Sequence, residues 1–114
     1  MTRTTQEIFD HHQAAFESVD LDELLADYAE DAVMVLIDNE FVGKAAIRGF
    51  FQGIFEGFPG LKVAFEKTNL HGDLFILQYS GEADNASLEH GVATFIIKED
   101  RIQRQTEWFN LIPK

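Results

Sequence analysis

Three side chains far apart in the chain, His12, His90 and Glu107, have the chemistry to move a proton or to steady a developing charge. An imidazole titrates near neutrality, and a carboxyl placed among apolar residues is expected to hold its proton to a higher pH because burial disfavours the ion. Their sequence spacing says nothing about contact, so strand pairing has to bring them together. If Glu99-Asp100 is a two-residue hairpin turn, Lys98 faces Arg101. Counting back pairs Leu88 with Leu111, His90 with Phe109, Val92 with Glu107 and Thr94 with Gln105. All eight then share one face of the sheet. Glu107 is the diagonal neighbour of His90, a backbone separation of roughly 7–8 Å that the two side chains can close.

In that arrangement Glu107 is the expected proton carrier, with Val92 and Phe109 as apolar neighbours and His90 as a donor to negative charge. The alternative for Glu107 is a rim salt bridge with Arg104 or Lys114. For His90 it is a ring stacked under Phe109. His12 falls on the stripe of Ile8, Ala15, Phe16 and Val19, so its ring is expected to point inward, whereas His11 lies toward the edge. It is either a second donor to a ligand, positioned by Tyr28, or a core imidazole bonded to Tyr28. The same register sends Phe95, Ile97, Ile102 and Trp108 to the opposite face, which is too apolar to be left in water. A two-fold homodimer through that face is the simplest expectation.

The elements that must carry these groups are legible along the chain. Thr4 with Glu7 has capping-box spacing and opens a helix ending near Val19; Asp20 and Glu23 open a second, carrying Leu21, Leu24, Leu25 and Tyr28. The apolar run from Ala32 to Ile37 is a strand, expected to be covered on both faces, and "DNE" after it is turn chemistry that includes Asp38. A third helix from Lys44 shows Ile47, Phe50, Phe51, Ile54, Phe55 and Phe58 as a stripe, with Gly49, Gly53 and Gly57 as a thin opposite face for close packing; Pro59-Gly60 stops it. Four strands follow, Leu61 to His71, Leu74 to Ala83, Ser87 to Lys98 and Arg101 to Pro113, with loops short enough for consecutive hairpins. The order α-α-β-α-β-β-β-β over residues 1–114 makes one α+β domain.

Composition narrows the partners. The chain has 114 residues, 11 of them Phe, and its 20 acidic against nine basic residues leave a charge of -11. So acidic a surface repels phosphate backbones and anionic membranes, and no basic stripe compensates. Nucleic acid and membrane are not expected partners. No cysteine is present, which removes thiol chemistry and fits a cytoplasmic protein. Adjacent His11 and His12 point about 100° apart on a helix, so neither a metal nor any other cofactor is expected.

The element order, with "DLDELLADYAEDAV", the "GKAAIRGFF" helix and the closing "DRIQRQTEWFNL", resembles the nuclear-transport-factor-2-like superfamily, in its SnoaL-like and ketosteroid-isomerase-like branch. The likeness covers nearly the whole chain. It implies a cone-shaped, curved, mixed or antiparallel sheet wrapped around three N-terminal helices, with an open apolar pocket for a small apolar molecule. Its members include isomerases, cyclases, dehydratases, epoxide hydrolases and non-enzymatic carriers, so either acid/base proton transfer or ligand binding alone is implied. The general-base Asp of ketosteroid isomerases corresponds to Leu36, so that base is replaced by a lining residue. Their oxyanion hole corresponds to His12 and His90, a second Tyr of their network corresponds to Phe51, and Tyr28 is retained.

Overall fold

The computed structural model describes residues 3–114 and packs three helices against the hollow side of one curved, unclosed six-stranded sheet. Helix α1 (Thr5–Glu17) opens on the expected box: Glu7 N–H donates to the Thr4 hydroxyl at 3.1 Å, and Thr4 N–H donates to the Glu7 carboxylate at 2.8 Å. Its inward stripe buries Ile8, Phe9, His12 and Ala15. Helix α2 (Leu21–Ala26) is capped by Asp20 and buries Leu24 and Leu25. It stops before Tyr28, which begins strand β1 (Tyr28–Val35).

Asp27, at that junction, has a fully buried side chain and ties the helices together. It accepts from Arg3 Nη1 and from His11 Nδ1, both at 2.7 Å, while His11 Nε2 reaches Glu23 at 2.8 Å. The bond to Asp27 is the main cause of a raised His11 pKa, with the Glu23 bond adding to it and desolvation opposing.

A short strand β2 (Glu40–Val42) follows the turn and was not expected from the sequence; three residues carry too little periodicity to announce a strand. Helix α3 (Lys44–Gly57) then crosses to the hairpins β3 (Lys62–His71), β4 (Leu74–Glu82), β5 (Ala86–Lys98) and β6 (Arg101–Pro113). The strand order is β2-β1-β6-β5-β4-β3, with β1 parallel to β6 and every other neighbour antiparallel. The α+β expectation and the meander hold.

Three local expectations are corrected. The apolar run from Ala32 to Ile37 is covered on one face only: Ala32 and Met34 are buried, but Val35, at the end of β1, is 46% exposed and Ile37, beyond it, 81%. Gly49, Gly53 and Gly57 face open space, with no atom within 4 Å of where a Cβ would stand, so they form no packing seam. Leu36 lies beyond the end of β1, where its N–H bonds Asn39 O at 2.8 Å, and it packs on the core edge outside the cavity described below.

A further correction concerns register. Lys98 does face Arg101, and the turn residues Glu99 and Asp100 take φ of 51° and 68°, the left-handed pair a tight hairpin needs. One step further, β6 inserts Gln103 between the pairs Ile97↔Ile102 and Ile96↔Arg104. This bulge shifts every later pair by one residue, so Glu107 faces Ala93 and Gln105 faces Phe95. A second bulge, in β5 at His90-Gly91, restores the expected pairing of Leu88 with Leu111. Between the bulges the faces of β5 are exchanged: Ala93 and Phe95 turn inward, Val92 outward.

Candidate functional site

Between α1, α3 and the hollow side of the sheet lies a cavity of about 60 Å³, by a measure in which one water needs roughly 10–15 Å³. It opens among aromatic and aliphatic side chains and contains few polar groups. His12 enters from α1, Phe51 from α3, Tyr79 from β4, Phe95 from β5, and Gln105 and Glu107 from β6. Alternation along β6 is the reason the last two are neighbours, since residues two apart share a face.

Four polar side chains form one ordered chain. Tyr28 O–H donates to Gln105 Oε1, and Gln105 Nε2 donates to Glu107 Oε1 at 2.9 Å. Tyr79 holds the other carboxyl oxygen, Oε2, through its hydroxyl. Glu107 is 8% exposed, and burial pushes its pKa up to about 7 even though both hydrogen bonds favour the ion. Burial also drives the phenols of Tyr79 and Tyr28 upward, and the nearby Glu107 charge adds to each. Among the described residues no rim salt bridge competes for Glu107: Lys114 Nζ pairs with Glu82 at 2.8 Å instead.

His12 is 6% exposed and meets Phe95, Tyr28 and Phe51 edge-on, with ring centroids 5.4, 5.8 and 6.2 Å away. Its Nδ1 is buried without a hydrogen-bond partner among the described residues; the Tyr28 hydroxyl, one expected partner of His12, bonds Gln105 instead. Burial lowers its pKa to about 4, with the Asp27 charge opposing, so the ring is neutral at neutral pH.

Of the residues singled out in the sequence, His12, Glu107, Phe51 and Phe109 line the cavity, and Tyr28 stands behind it as the support of Gln105 rather than of His12. His90 does not join them. It sits at the β5 bulge with φ of 55° and is exposed, so it cannot meet Glu107 as the unbulged ladder requires. Val92 is 37% exposed on the outer face, paired with Trp108 rather than Glu107. Leu36 is outside, and Asp38 is exposed in the turn. Tyr79, which holds Glu107, is not legible in the sequence, because the register that brings β4 to this site passes through bulges the local residues do not announce.

Gly91, next to His90, is the residue whose role the sequence could have disclosed. A glycine inside a strand pattern marks a bulge or a close approach. A Cβ built on Gly91 would stand 2.5–2.6 Å from the Tyr79 ring opposite it, so the missing side chain is the space that ring occupies. Gly91→Ala is expected to cost about 1–3 kcal/mol and to displace Tyr79 from Glu107. Urea midpoints together with the pH titration of the Glu107 carboxyl carbon check this; an unmoved titration would show that Tyr79 had stayed in place.

A sheet curved around helices, with a mouth between them and a buried carboxyl on the inner face, defines a cone protein of the nuclear-transport-factor-2-like class. The sequence model of the SnoaL-like domain matches residues 9–105, and the chain belongs to that family. Among curated proteins none matches the chain. Solved structures agree on the fold. A nuclear-transport-factor-2-like protein of Burkholderia xenovorans has a TM-score of 0.80 at 18% identity, over 93% of this chain and 82% of the other. A Kribbella flavida protein provisionally named a ketosteroid isomerase gives 0.80 at 19%, over 96% and 82%. A Sinorhizobium meliloti protein provisionally named a polyketide cyclase gives 0.77 at 20%, over 90% and 94%.

Proposed function

We propose that the chain binds a small apolar molecule in the cone cavity and catalyses acid/base proton transfer on it, of the kind used in isomerisation, cyclisation, dehydration or hydration. The observation that supports this most is Glu107: a carboxyl in an apolar cavity, held by two hydrogen bonds, with a pKa raised to about 7. Such a group exists in both protonation states near neutral pH, which suits a proton carrier. His12, neutral and facing the same cavity, supplies a ring that can hydrogen-bond a ligand without bringing a charge. The names of the structural neighbours, cyclase and isomerase among them, are consistent with that reaction class. A thermal-shift screen of polyketide, terpenoid and steroid-like fragments tests it, because a ligand of the folded state raises apparent stability. Binding without turnover of any hit would favour a non-catalytic ligand-binding protein.

The same reading includes a homodimer, through a face that differs from the expected one. Phe95 and Ile102 are buried within the monomer, and Ile97 packs on its core. Outside, Leu74, Ile76, Val92, Ile96 and Trp108 are exposed on adjoining strands. No carboxylate points outward among them, in a chain of charge -11. That is where two equally acidic copies can approach with least repulsion. Sedimentation should find a dimer that Trp108→Glu converts to monomer; a parent protein that stays monomeric at high concentration rejects it.

A further inference from the structure

The direction of the hydrogen bonds around Glu107 fixes where its proton can reside. An amide nitrogen only donates, so Gln105 Nε2 obliges Glu107 Oε1 to accept. The amide cannot turn over without cost: its oxygen accepts from the Tyr28 O–H, and Tyr28, 1% exposed, donates to no other group among the described residues. A proton on Glu107 therefore sits on Oε2, which faces Tyr79. With Glu107 ionised, Tyr79 O–H donates to Oε2 and only its lone pairs remain for the cavity. With Glu107 protonated, Oε2–H donates to the Tyr79 oxygen, and the Tyr79 hydrogen must turn elsewhere. Tyr79 lines the cavity, so that direction is open to it.

We propose that the Tyr79 hydroxyl is the donor presented to the ligand, switched on when Glu107 carries a proton, and that the ligand is a neutral apolar molecule with one accepting oxygen, a ketone or an aldehyde. This rests on the cavity being the functional site. The groups facing the pair are few. Gln105 lies on the same strand, Tyr28 supports it from β1, and His12 looks in from α1. The cavity residues of α3, β3 and β5 are apolar. His12, with a pKa of about 4, stays neutral through the range in which Glu107 titrates.

The test compares acetophenone with α-methylstyrene, which has the same shape with a methylene group in place of the carbonyl oxygen, by NMR titration. In the parent protein, acetophenone affinity is expected to fall roughly tenfold between about pH 5.5 and 8.5, the worth of one hydrogen bond, while α-methylstyrene affinity does not change. Glu107→Gln supplies the decisive variant. Its amide oxygen must accept from Gln105, which leaves its nitrogen to donate to Tyr79 permanently, so acetophenone binding is expected to stay at the low-pH level throughout. Tyr79→Phe keeps the ring beside Gly91 and should bind both probes alike. A parent in which the two probes share one pH dependence, or a Tyr79→Phe protein that keeps the preference for the ketone, overturns the proposal. If neither probe binds, the Glu107 carboxyl carbon and the Tyr79 Cζ are followed through pH in the free protein. Joint titration then upholds the switch and faults the cavity as the ligand site, whereas independent titration overturns the switch itself.

Discussion

Replacing Glu107 by Gln is expected to lower turnover of any substrate found in the fragment screen by roughly 10²–10⁴-fold, the usual contribution of a positioned acid or base. The amide fits the same hydrogen bonds but cannot gain or release a proton at neutral pH. Loss is therefore expected in kcat, with affinity for a neutral ketone kept, since the variant holds Tyr79 in its donating state. Full activity in the variant would remove Glu107 from the chemistry, and a loss confined to KM would make it a binding group only. Near pH 7 the parent divides between the two forms of Glu107, so its rate should change across neutrality in a way the Gln variant does not share.

The second large effect is on stability, and it comes from two buried groups of opposite kind. Glu107 has a folded pKa of about 7 against an ordinary 4.5, so its contribution is present in full below pH 4.5 and is lost as pH rises through 7. His12 has a folded pKa of about 4 against 6.5, so its contribution is present above pH 6.5 and is lost as pH falls through 4. Each difference corresponds to about 3 kcal/mol at 1.36 kcal/mol per pKa unit. Between pH 4.5 and 6.5 the folded chain holds a proton on Glu107 and none on His12, while the unfolded chain holds the reverse. The two slopes cancel in the parent. Glu107→Gln should therefore expose a stability that rises with pH over this interval, and His12→Phe one that falls. Urea midpoints measured across the interval decide it, because any fixed packing cost of either variant drops out of the slope. Two variants that track the parent curve would mean that neither group is held in the protonation state its burial implies.

What could be read from the residues was local. The capping box at Thr4 and Glu7, the stop at Pro59-Gly60 and the alternation in the last four strands each depend on neighbours a few positions away, and each element they mark is present. The family resemblance had the same source, since "GKAAIRGFF" and its companions are helix and strand signals. The inward side of His12 follows from a helical stripe, and that of Glu107, shared with Phe109, from alternation along its own strand, so both survive the loss of the expected pairing across β5.

Errors began where one strand had to be matched to another. A tight turn of Glu99 and Asp100 set the first pair correctly, yet the single residue inserted at Gln103 reversed which side chains of β5 face the helices. That one step places Phe95 in the core instead of on the expected dimer face, puts Val92 outside and, with the bulge at His90, parts His90 from Glu107. Only Gly91 hinted at the irregularity.

The sequence by itself determined the longer elements, their order, the α+β class and the inward carboxyl, because hydrophobic period and turn chemistry act over a few residues. The tertiary structure alone decided which groups surround that carboxyl: Tyr79 against Gly91, Gln105 held by Tyr28, and an imidazole with an orphaned nitrogen beside them. Those contacts join β1, β4, β5, β6 and α1, and a side chain's face depends on the parity of every pairing in between. A bulge changes that parity at the cost of one residue, and almost nothing in the local sequence need change to record it.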